Sequence, residues 1–304
     1  MKNLLAVPIL VLILTCQLFA GEPDKKFHEK CLYPTVMIQV QKSVLGKGGV
    51  GTGVIFKSHK LEDGKYVNFV LTCAHVIPDE EKAPKPSGGL LPFKLFHKLK
   101  FTVKKANYKD WSTLVDYTDF DSKVVYKDLK RDFAILVFES KEAMPIADLA
   151  PKAKLYIGND VFRVGCGMGD FMRVDYGKIT AIDYTLSGRI KDVYRTSIPT
   201  IGGDSGGPMF NEEYQVVGIA EAIRSIQSFS KSPLSQGFLV VPIQHPICHI
   251  SYSVPLSKMG NLEEHCQKKI TEILNPPKEV PQSPKEPEAP QEPERAEKPE
   301  LSPS

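Results

Sequence analysis

The sequence has little of what marks a membrane protein or a nucleic-acid-binding protein. Its one long apolar run, Leu4 to Leu14, is shorter than the about 20 residues that a membrane-spanning helix needs. The formal net charge is only +3 at pH 7, with a sequence pI near 8.4. So mild a charge gives no reason to expect nucleic acid or an acidic membrane as a partner. We therefore predict neither an integral membrane span nor nucleic-acid binding.

The apolar run instead indicates export. The basic start Met1-Lys2 precedes it, and the small pair Ala20-Gly21 follows it. This order of basic, apolar and small residues is typical of a signal peptide, here cleaved after Ala20. We expect residues 1–20 to be removed and the protein to reach the periplasm or the extracellular space. The alternative is a lipid on Cys16, which would associate the protein with the envelope.

Cysteine is also scarce. The six cysteines are Cys16, Cys31, Cys73, Cys166, Cys248 and Cys266. Removal of residues 1–20 would leave an odd number, so at least one thiol would be free or would pair with another chain. Export permits disulfides without requiring them. A bond between Cys248 and Cys266 is one candidate, with Cys31 as an alternative partner, whereas Cys73 and Cys166 are expected to be core thiols.

Helical periodicity is nearly absent. Short apolar runs separated by glycine-containing turns predict an all-β barrel or sandwich. The one helix candidate is Leu262–Leu274, which Asn261 can cap. Residues 21–32 are charged and are expected to form a loose arm. Residues 275–304 are rich in Pro, Glu and Lys without an apolar cluster, which predicts a disordered tail after a folded domain at 21–274.

The strongest chemical pattern is Gly202-Gly-Asp-Ser-Gly-Gly-Pro208. A serine hydroxyl is a poor nucleophile unless a base lies within hydrogen-bond reach and donors await the developing oxyanion. Glycines beside Ser205 allow a tight turn, so that the amides of Gly203 and Ser205 can point at one spot. The pattern predicts a nucleophile at Ser205 with an oxyanion hole made by these two amides.

Candidates for the base and the acid lie upstream. His75 follows the apolar strand that ends at Leu71-Thr72, and Asp132 opens another apolar strand. A buried aspartate held against His75 would fix its tautomer and stabilise the imidazolium. The three residues predict acyl-transfer hydrolysis, in which Ser205 attacks, His75 moves the proton and Asp132 orients His75. This chemistry uses only side chains and backbone amides, so neither a cofactor nor a metal is predicted.

Taken together, these motifs resemble the trypsin-like peptidases of the chymotrypsin fold. The likeness is greatest to bacterial members, including the protease domain of the high-temperature-requirement (HtrA) group. The matching segments, in chain order, are Gly51-Thr-Gly-Val-Ile-Phe56, Leu71-Thr-Cys-Ala-His-Val76, Asp132-Phe-Ala-Ile-Leu-Val137, Val164-Gly-Cys-Gly-Met-Gly169, Tyr176-Gly-Lys-Ile-Thr-Ala181, Gly203-Asp-Ser-Gly-Gly-Pro208 and Val217-Gly-Ile-Ala-Glu-Ala222.

The resemblance implies two six-stranded antiparallel β-barrels, with the catalytic triad in the cleft between them. His75 and Asp132 would come from the first barrel and Ser205 from the second. It also implies a serine endopeptidase that acts on protein or peptide substrates. A catalytically silent binding protein, or an envelope adaptor that keeps the fold, is the alternative.

The sequence departs from this family in three places. The PDZ domain that usually comes after an HtrA protease domain is not expected, because most of the chain beyond Lys258 is tail. Residues 78–120 are predicted to be an inserted loop or an extra hairpin beside the cleft. No trypsin-like new N-terminus is expected to pair with Asp204, so that carboxylate needs another partner. The resemblance suggests Arg163 for this role, as a support that keeps the oxyanion loop active, whereas an exposed arginine on a strand is the alternative.

The resemblance also bears on substrate preference. Trypsin carries an aspartate six positions before its serine, and this chain has Pro199 there. A preference for Lys or Arg is therefore not expected. We predict a pocket for an apolar side chain before the scissile bond, although Glu221 could instead enter it and favour basic substrates. The predicted pocket residues are Ile198, Pro199, Ile201, Glu221, Ala222 and Ile223.

Overall fold

A computed structural model describes residues 24–41, 49–78, 100–169, 172–186, 190–231 and 240–275. Within these ranges, only the backbone is described for residues 183–191 and 222–250. The predicted signal peptide, Cys16 and almost all of the predicted tail lie outside the described residues. Within the described ranges, no helix is long and apolar enough to cross a membrane.

The first barrel is a closed ring of six antiparallel strands in the order β1-β2-β3-β6-β5-β4. The strands are β1 (Thr35–Gln41), β2 (Gly49–Lys60), β3 (Tyr66–Thr72), β4 (Lys100–Tyr108), β5 (Leu114–Asp128) and β6 (Phe133–Ser140). Alternate residues of β1, among them Val36, Ile38 and Val40, are buried in an apolar cluster inside this barrel. This two-residue period is what a strand with one face in the core requires.

The second barrel also has six antiparallel strands and a short addition. Its strands are β8 (Asp160–Gly165), β9 (Arg173–Leu186), β10 (Ile190–Thr196), β11 (Pro208–Phe210), β12 (Gln215–Lys231) and β13 (Val240–Pro255). They follow the order β11-β8-β9-β10-β13-β12, and pairing of β11 with β12 closes the ring. A two-residue strand, β7 (Asp148–Leu149), pairs in parallel with β12. The prediction of two six-stranded barrels is confirmed.

Part of the predicted insertion at 78–120 is wrong, because its second half belongs to the first barrel. β4 pairs with β1 on one side and with β5 on the other. Phe101, Val103 and Ala106 of β4 are buried, while the lysines between them are exposed or half-buried. The apolar face of β4 lies in the core of the first barrel. Residues 79–99 of the predicted insertion lie outside the described residues.

The two ends of the folded region pack on the barrels. The C-terminal helix, Leu262–Leu274, begins as predicted: Asn261 Oδ1 accepts a hydrogen bond from the Glu264 amide at 3.3 Å. At the other end, Lys25–Phe27 and His28–Leu32 form a helical segment with Cys31 and Leu32 buried. The expectation of a loose arm is wrong for this segment, because its apolar residues pack into the core.

One apolar cluster connects all of these parts. It contains Leu32 from the N-terminal segment, Phe69 from the first barrel, Phe210 from the second barrel and Ile270 from the C-terminal helix. Each barrel also has a smaller cluster of its own. The barrels are therefore joined by a shared core as well as by the chain.

Four cysteines with described side chains are buried free thiols, namely Cys31, Cys73, Cys166 and Cys266. The predicted disulfides of Cys266 and Cys31 are therefore not formed. Both residues belong to the shared apolar cluster, where a thiol packs as a small hydrophobic group. The side chain of Cys248 lies outside the described residues.

Candidate active site

The structure places the predicted base against the predicted acid. His75 lies on a single 3₁₀ turn, Ala74–Val76, directly after β3, and Asp132 immediately precedes β6. His75 Nδ1 lies 2.7 Å from Asp132 Oδ2, and the His75 amide donates to Asp132 Oδ1 at 2.9 Å. One residue thus binds both oxygens of the carboxylate. Because Nδ1 faces Asp132, a neutral imidazole with its proton on Nδ1 leaves Nε2 as an acceptor.

Asp132 is held in an unusual backbone conformation. Its φ is +52°, in the left-handed region that non-glycine residues rarely adopt. The residue is only 5% exposed, whereas the His75 side chain is 46% exposed. The acid is therefore buried beneath a base that is open to a substrate, which is the burial expected of an orienting acid.

The pKa of His75 follows from this environment. Burial favours the neutral imidazole and so lowers its pKa. The hydrogen bond and negative charge of Asp132, together with the charge of Glu221, outweigh burial and raise the pKa of His75 above its ordinary value. Asp132 and Glu221 thus make His75 a stronger base, and the hydrogen bonds to Asp132 also hold its ring in place.

The loop that carries Ser205 is seated against the first barrel. Thr52 of β2 donates its amide to the Ser205 carbonyl at 2.8 Å and its hydroxyl to the Gly203 carbonyl at 2.8 Å. Gly206 has φ +84°, and a Cβ there would lie 2.9 Å from the amide nitrogen of Cys73, two residues before His75. The loop therefore meets the segment that carries the base. Ser205 Oγ makes no hydrogen bond with the described residues, and such bonds often tighten only when substrate is bound.

Two amides of this loop are free to bind an anion. The amides of Asp204, Gly206 and Gly207 each donate to a backbone carbonyl, while those of Gly203 and Ser205 donate to no described acceptor. Gly203 has φ +99° and fits where a Cβ would lie 2.7 Å from the Cys166 carbonyl oxygen. Only glycine adopts this conformation in so small a space. Alternate amides are thus left unpaired, as an oxyanion hole requires.

The buried side chain of Asp204 anchors the same loop through ion pairs and a hydrogen bond. Its side chain is fully buried, and Oδ2 lies 3.0 Å from Arg163 Nη2 and 2.7 Å from Arg173 Nη2. The Ile201 amide donates to the same oxygen at 2.8 Å. Arg163 is only 1% exposed, so the alternative of an exposed arginine is wrong. Burial lowers the pKa of Arg163, while the charges of Asp204 and Asp175 oppose this.

The sequence analysis missed two members of this ion-pair network, Arg173 and Asp175. Arg163 Nη2 donates to Asp175 Oδ2 at 2.7 Å, and Arg173 Nη2 lies 3.2 Å from the same oxygen. Both residues lie on β9, and Asp175 is directly opposite Arg163 on β8. Their spacing of two was the available signal, since it puts two opposite charges on one face of a strand.

The predicted pocket residues occupy different environments. Ile198 is 1% exposed, and the Pro199 carbonyl accepts a hydrogen bond from Arg163. Ile201 packs closely against Gly167, because a Cβ added at position 167 would lie 2.5 Å from Ile201 Cγ1. Ala222 and Ile223 lie on β12 opposite Tyr252 and Ser251, with their side chains outside those described. Glu221 Oε2 is shielded from solvent and has no hydrogen-bond partner among the described residues, and the charges of Asp132 and His75 affect the pKa of its carboxyl group.

The closeness of the Ser205 loop to the first barrel generates a prediction about two glycines. A Cβ at position 206 would lie 2.1 Å from Thr72 Oγ1 and 2.2 Å from the Thr52 carbonyl oxygen, whereas position 202 has nothing within 4 Å. We expect Gly206→Ala to displace the loop and to lower labelling by an active-site serine probe at least about a hundredfold. Gly202→Ala is the matched control and should label like wild type. Equal labelling of the two variants would contradict this account of the loop.

Known proteins were compared with this chain at the level of sequence. Residues 51–219 match the family model described as a trypsin-like peptidase domain. The putative protease Do-like 14 of Arabidopsis thaliana is 26% identical over 229 residues, which is 74% of this chain and 42% of that protein. A probable periplasmic serine endoprotease, DegP-like, of Rickettsia prowazekii is 31% identical over 128 residues, which is 40% of this chain and 24% of that protein. The chain thus spans less than half the length of these relatives.

Solved structures show the same fold. The HtrA-type protease AlgW with a tripeptide aligns over 80% of this chain and 61% of its own, with a TM-score of 0.50 and 19% identity. A serine endoprotease from Yersinia pestis aligns over 82% of this chain and 69% of its own, with a TM-score of 0.51 and 17% identity. The family model covers more than half of the chain, and its limits enclose His75, Asp132 and Ser205. The chain therefore belongs to the family of trypsin-like peptidase domains, with relatives of the HtrA and DegP type.

Proposed function

We propose that this protein is a serine endopeptidase that hydrolyses peptide bonds in protein substrates with His75, Asp132 and Ser205. The observation that carries the proposal is the binding of both Asp132 carboxyl oxygens by His75, at 2.7 and 2.9 Å. The seating of the Ser205 loop against the segment that carries His75 supports it further. Membership of a peptidase family makes peptide bonds the expected target.

The reaction follows from these positions. Ser205 Oγ attacks the scissile carbonyl carbon while His75 Nε2 takes its proton, and the carbonyl oxygen becomes an oxyanion that the Gly203 and Ser205 amides bind. Collapse breaks the C–N bond, and His75 returns the proton to the leaving amine. Water then attacks the acyl-enzyme in the same manner and releases the acid and free Ser205. Asp132 stabilises the imidazolium in both halves.

The oxyanion loop is proposed to be active without proteolytic activation. In this proposal, Arg163 neutralises the buried Asp204 carboxylate from within the second barrel. The 3.0 Å separation of Arg163 Nη2 and Asp204 Oδ2, with Arg173 at 2.7 Å, supports this role. A buried carboxylate without a cation would be strongly unfavourable, so the arginines take the place that a new N-terminus would otherwise occupy.

Export of the protein and the shape of its substrate pocket are also part of the proposal. Relatives described as periplasmic support export, with removal of residues 1–20 and a folded domain at 21–274. Association with the envelope through a lipid on Cys16 is the alternative to free secretion. The absence of an aspartate at position 199 supports a pocket for an apolar side chain, formed by Ile198, Pro199, Ile201, Ala222 and Ile223.

The first prediction tests the nucleophile. We expect a fluorophosphonate probe to label the folded mature protein and Ser205→Ala to lose labelling, with a fall in kcat on a peptide substrate of about a millionfold. Ser197→Ala, which removes another hydroxyl of the second barrel, should label like wild type. Failure of the folded wild-type protein to label would instead favour the alternative of a non-catalytic binding or adaptor protein.

The second prediction concerns Arg163. We expect Arg163→Ala to lower the free energy of unfolding by about 3–5 kcal/mol, because Asp204 and Asp175 lose a buried partner. Urea denaturation measures this change, and labelling of Ser205 should fall in the fraction that stays folded. Lys178→Ala removes an exposed pair with Asp160 and should cost no more than about 1 kcal/mol. Unchanged stability and labelling in Arg163→Ala would refute the proposed support.

The third prediction concerns substrate choice. A peptide library should show cleavage after apolar residues, with kcat/KM at least about tenfold above that for Lys or Arg. The reason is that position 199 offers proline instead of the carboxylate that binds a basic side chain. Dominant cleavage after Lys or Arg would show that Glu221 enters the pocket, as the alternative holds.

A further inference from the structure

Glu221 lies where the second barrel joins the active site. It follows Ala220 on β12, at an irregularity in the pairing of β12 with β13. The Ala220 carbonyl accepts hydrogen bonds from the Gly206 amide at 2.8 Å and from Cys73 Sγ at 3.0 Å. Its amide donates to the Gly207 carbonyl at 2.8 Å. Ala220 is thus fixed both to the serine loop and to the segment that carries His75, and this fixes the neighbouring Glu221.

One oxygen of the Glu221 carboxyl group is buried without a hydrogen bond. Its Oε2 atom is shielded from solvent and has no hydrogen-bond partner among the described residues. An unpaired buried carboxylate is unfavourable, so the group has reason to hold a proton near neutral pH. Burial first, and then the charge of Asp132, raise the pKa of Glu221 to about 7, although His75 opposes this.

The titratable groups that act on Glu221 come from the first barrel. The end of β3 supplies Cys73, the 3₁₀ turn supplies His75, and the residue before β6 supplies Asp132. Burial raises the pKa of Cys73 well above its ordinary value, so it stays a neutral thiol. On the strands beyond, Tyr252 of β13 lies opposite Ala222, and Arg195 of β10 lies opposite Tyr252; the described part of β11 carries no titratable residue.

We propose that Glu221 is a positioning residue of the active site, whose carboxyl group, next to the strand position that binds Cys73 and the Ser205 loop, sets by its own charge the pH at which His75 becomes the neutral base. The proposal rests on the proposed function in one respect: it affects turnover only if His75 acts as the base. It assigns to Glu221 a part in the proton balance of the site instead of a part in the substrate pocket.

The effect has a definite sign. An ionised Glu221 adds a second negative charge beside the imidazole and contributes to the raised pKa of His75. The base is then available only at higher pH. A protonated Glu221 lacks this charge and lets His75 release its proton at lower pH. Since the charge of each group shifts the pKa of the other, they lose protons as a coupled pair, and the acid limb of kcat/KM is broader than that of a single group.

Glu221→Gln tests this, because it keeps the shape of the side chain and removes its charge. We expect the midpoint of the acid limb of kcat/KM to move to lower pH by about half a unit, which raises the relative rate on that limb about threefold. The pH range of the acid limb should also narrow to the range expected when a single group titrates. Glu212→Gln removes an equal charge from an exposed position just before β12 and should leave the limb unchanged.

A second readout does not depend on turnover. The ring resonances of His75, followed by NMR in ¹⁵N-labelled protein, should titrate at lower pH in Glu221→Gln than in wild type. Glu221→Thr, also neutral, should shift them likewise and serves if glutamine prevents folding. Equal midpoints in the folded wild type and the folded neutral variant overturn the proposal, whatever the activity. A shifted midpoint in a protein that cleaves no peptide supports the proposal and refutes the protease function instead.

Discussion

The contact between the Asp132 carboxylate and His75 is the interaction on which the arrangement of the active site depends. A carboxylate that is 5% exposed needs hydrogen bonds to both oxygens, and His75 supplies them from its ring and its amide. The ring is thereby turned so that Nδ1 faces the acid and Nε2 is left for the substrate side. The left-handed backbone of Asp132 is retained because β6 fixes the residue through the chain and His75 fixes its side chain.

A second buried carboxylate, Asp204, organises the nucleophile in a similar manner. It binds two arginines and a backbone amide from beneath the loop, while Thr52 of the first barrel binds the Gly203 and Ser205 carbonyls from the other side. The carbonyls are thus engaged, and the amides of the same two residues are left free. Each barrel contributes one set of these bonds, so the proposed oxyanion site requires both barrels to be in place.

The barrels, the C-terminal helix and the members of the site could be predicted from sequence because each is encoded locally. Apolar runs with glycine turns indicated the strands, and the serine motif is contiguous. β4 was assigned to an insertion because its partners, β1 and β5, are not evident without the fold. The partners of Arg163 depend on the register of β8 and β9. The surroundings of Glu221 depend on how closely β12 approaches a segment of the other barrel, which no local pattern encodes.

The shared apolar cluster has a consequence for how the molecule unfolds. Residues from both barrels, the N-terminal segment and the C-terminal helix lie in one cluster, and removal of any one part would expose apolar surface on the others. Such surface costs free energy in proportion to its area. A half-open state with one intact barrel is therefore disfavoured, and the domain behaves as one cooperative unit despite its two closed sheets. Heat would abolish the cleft and the barrels in the same transition, so the active site is as durable as the whole domain.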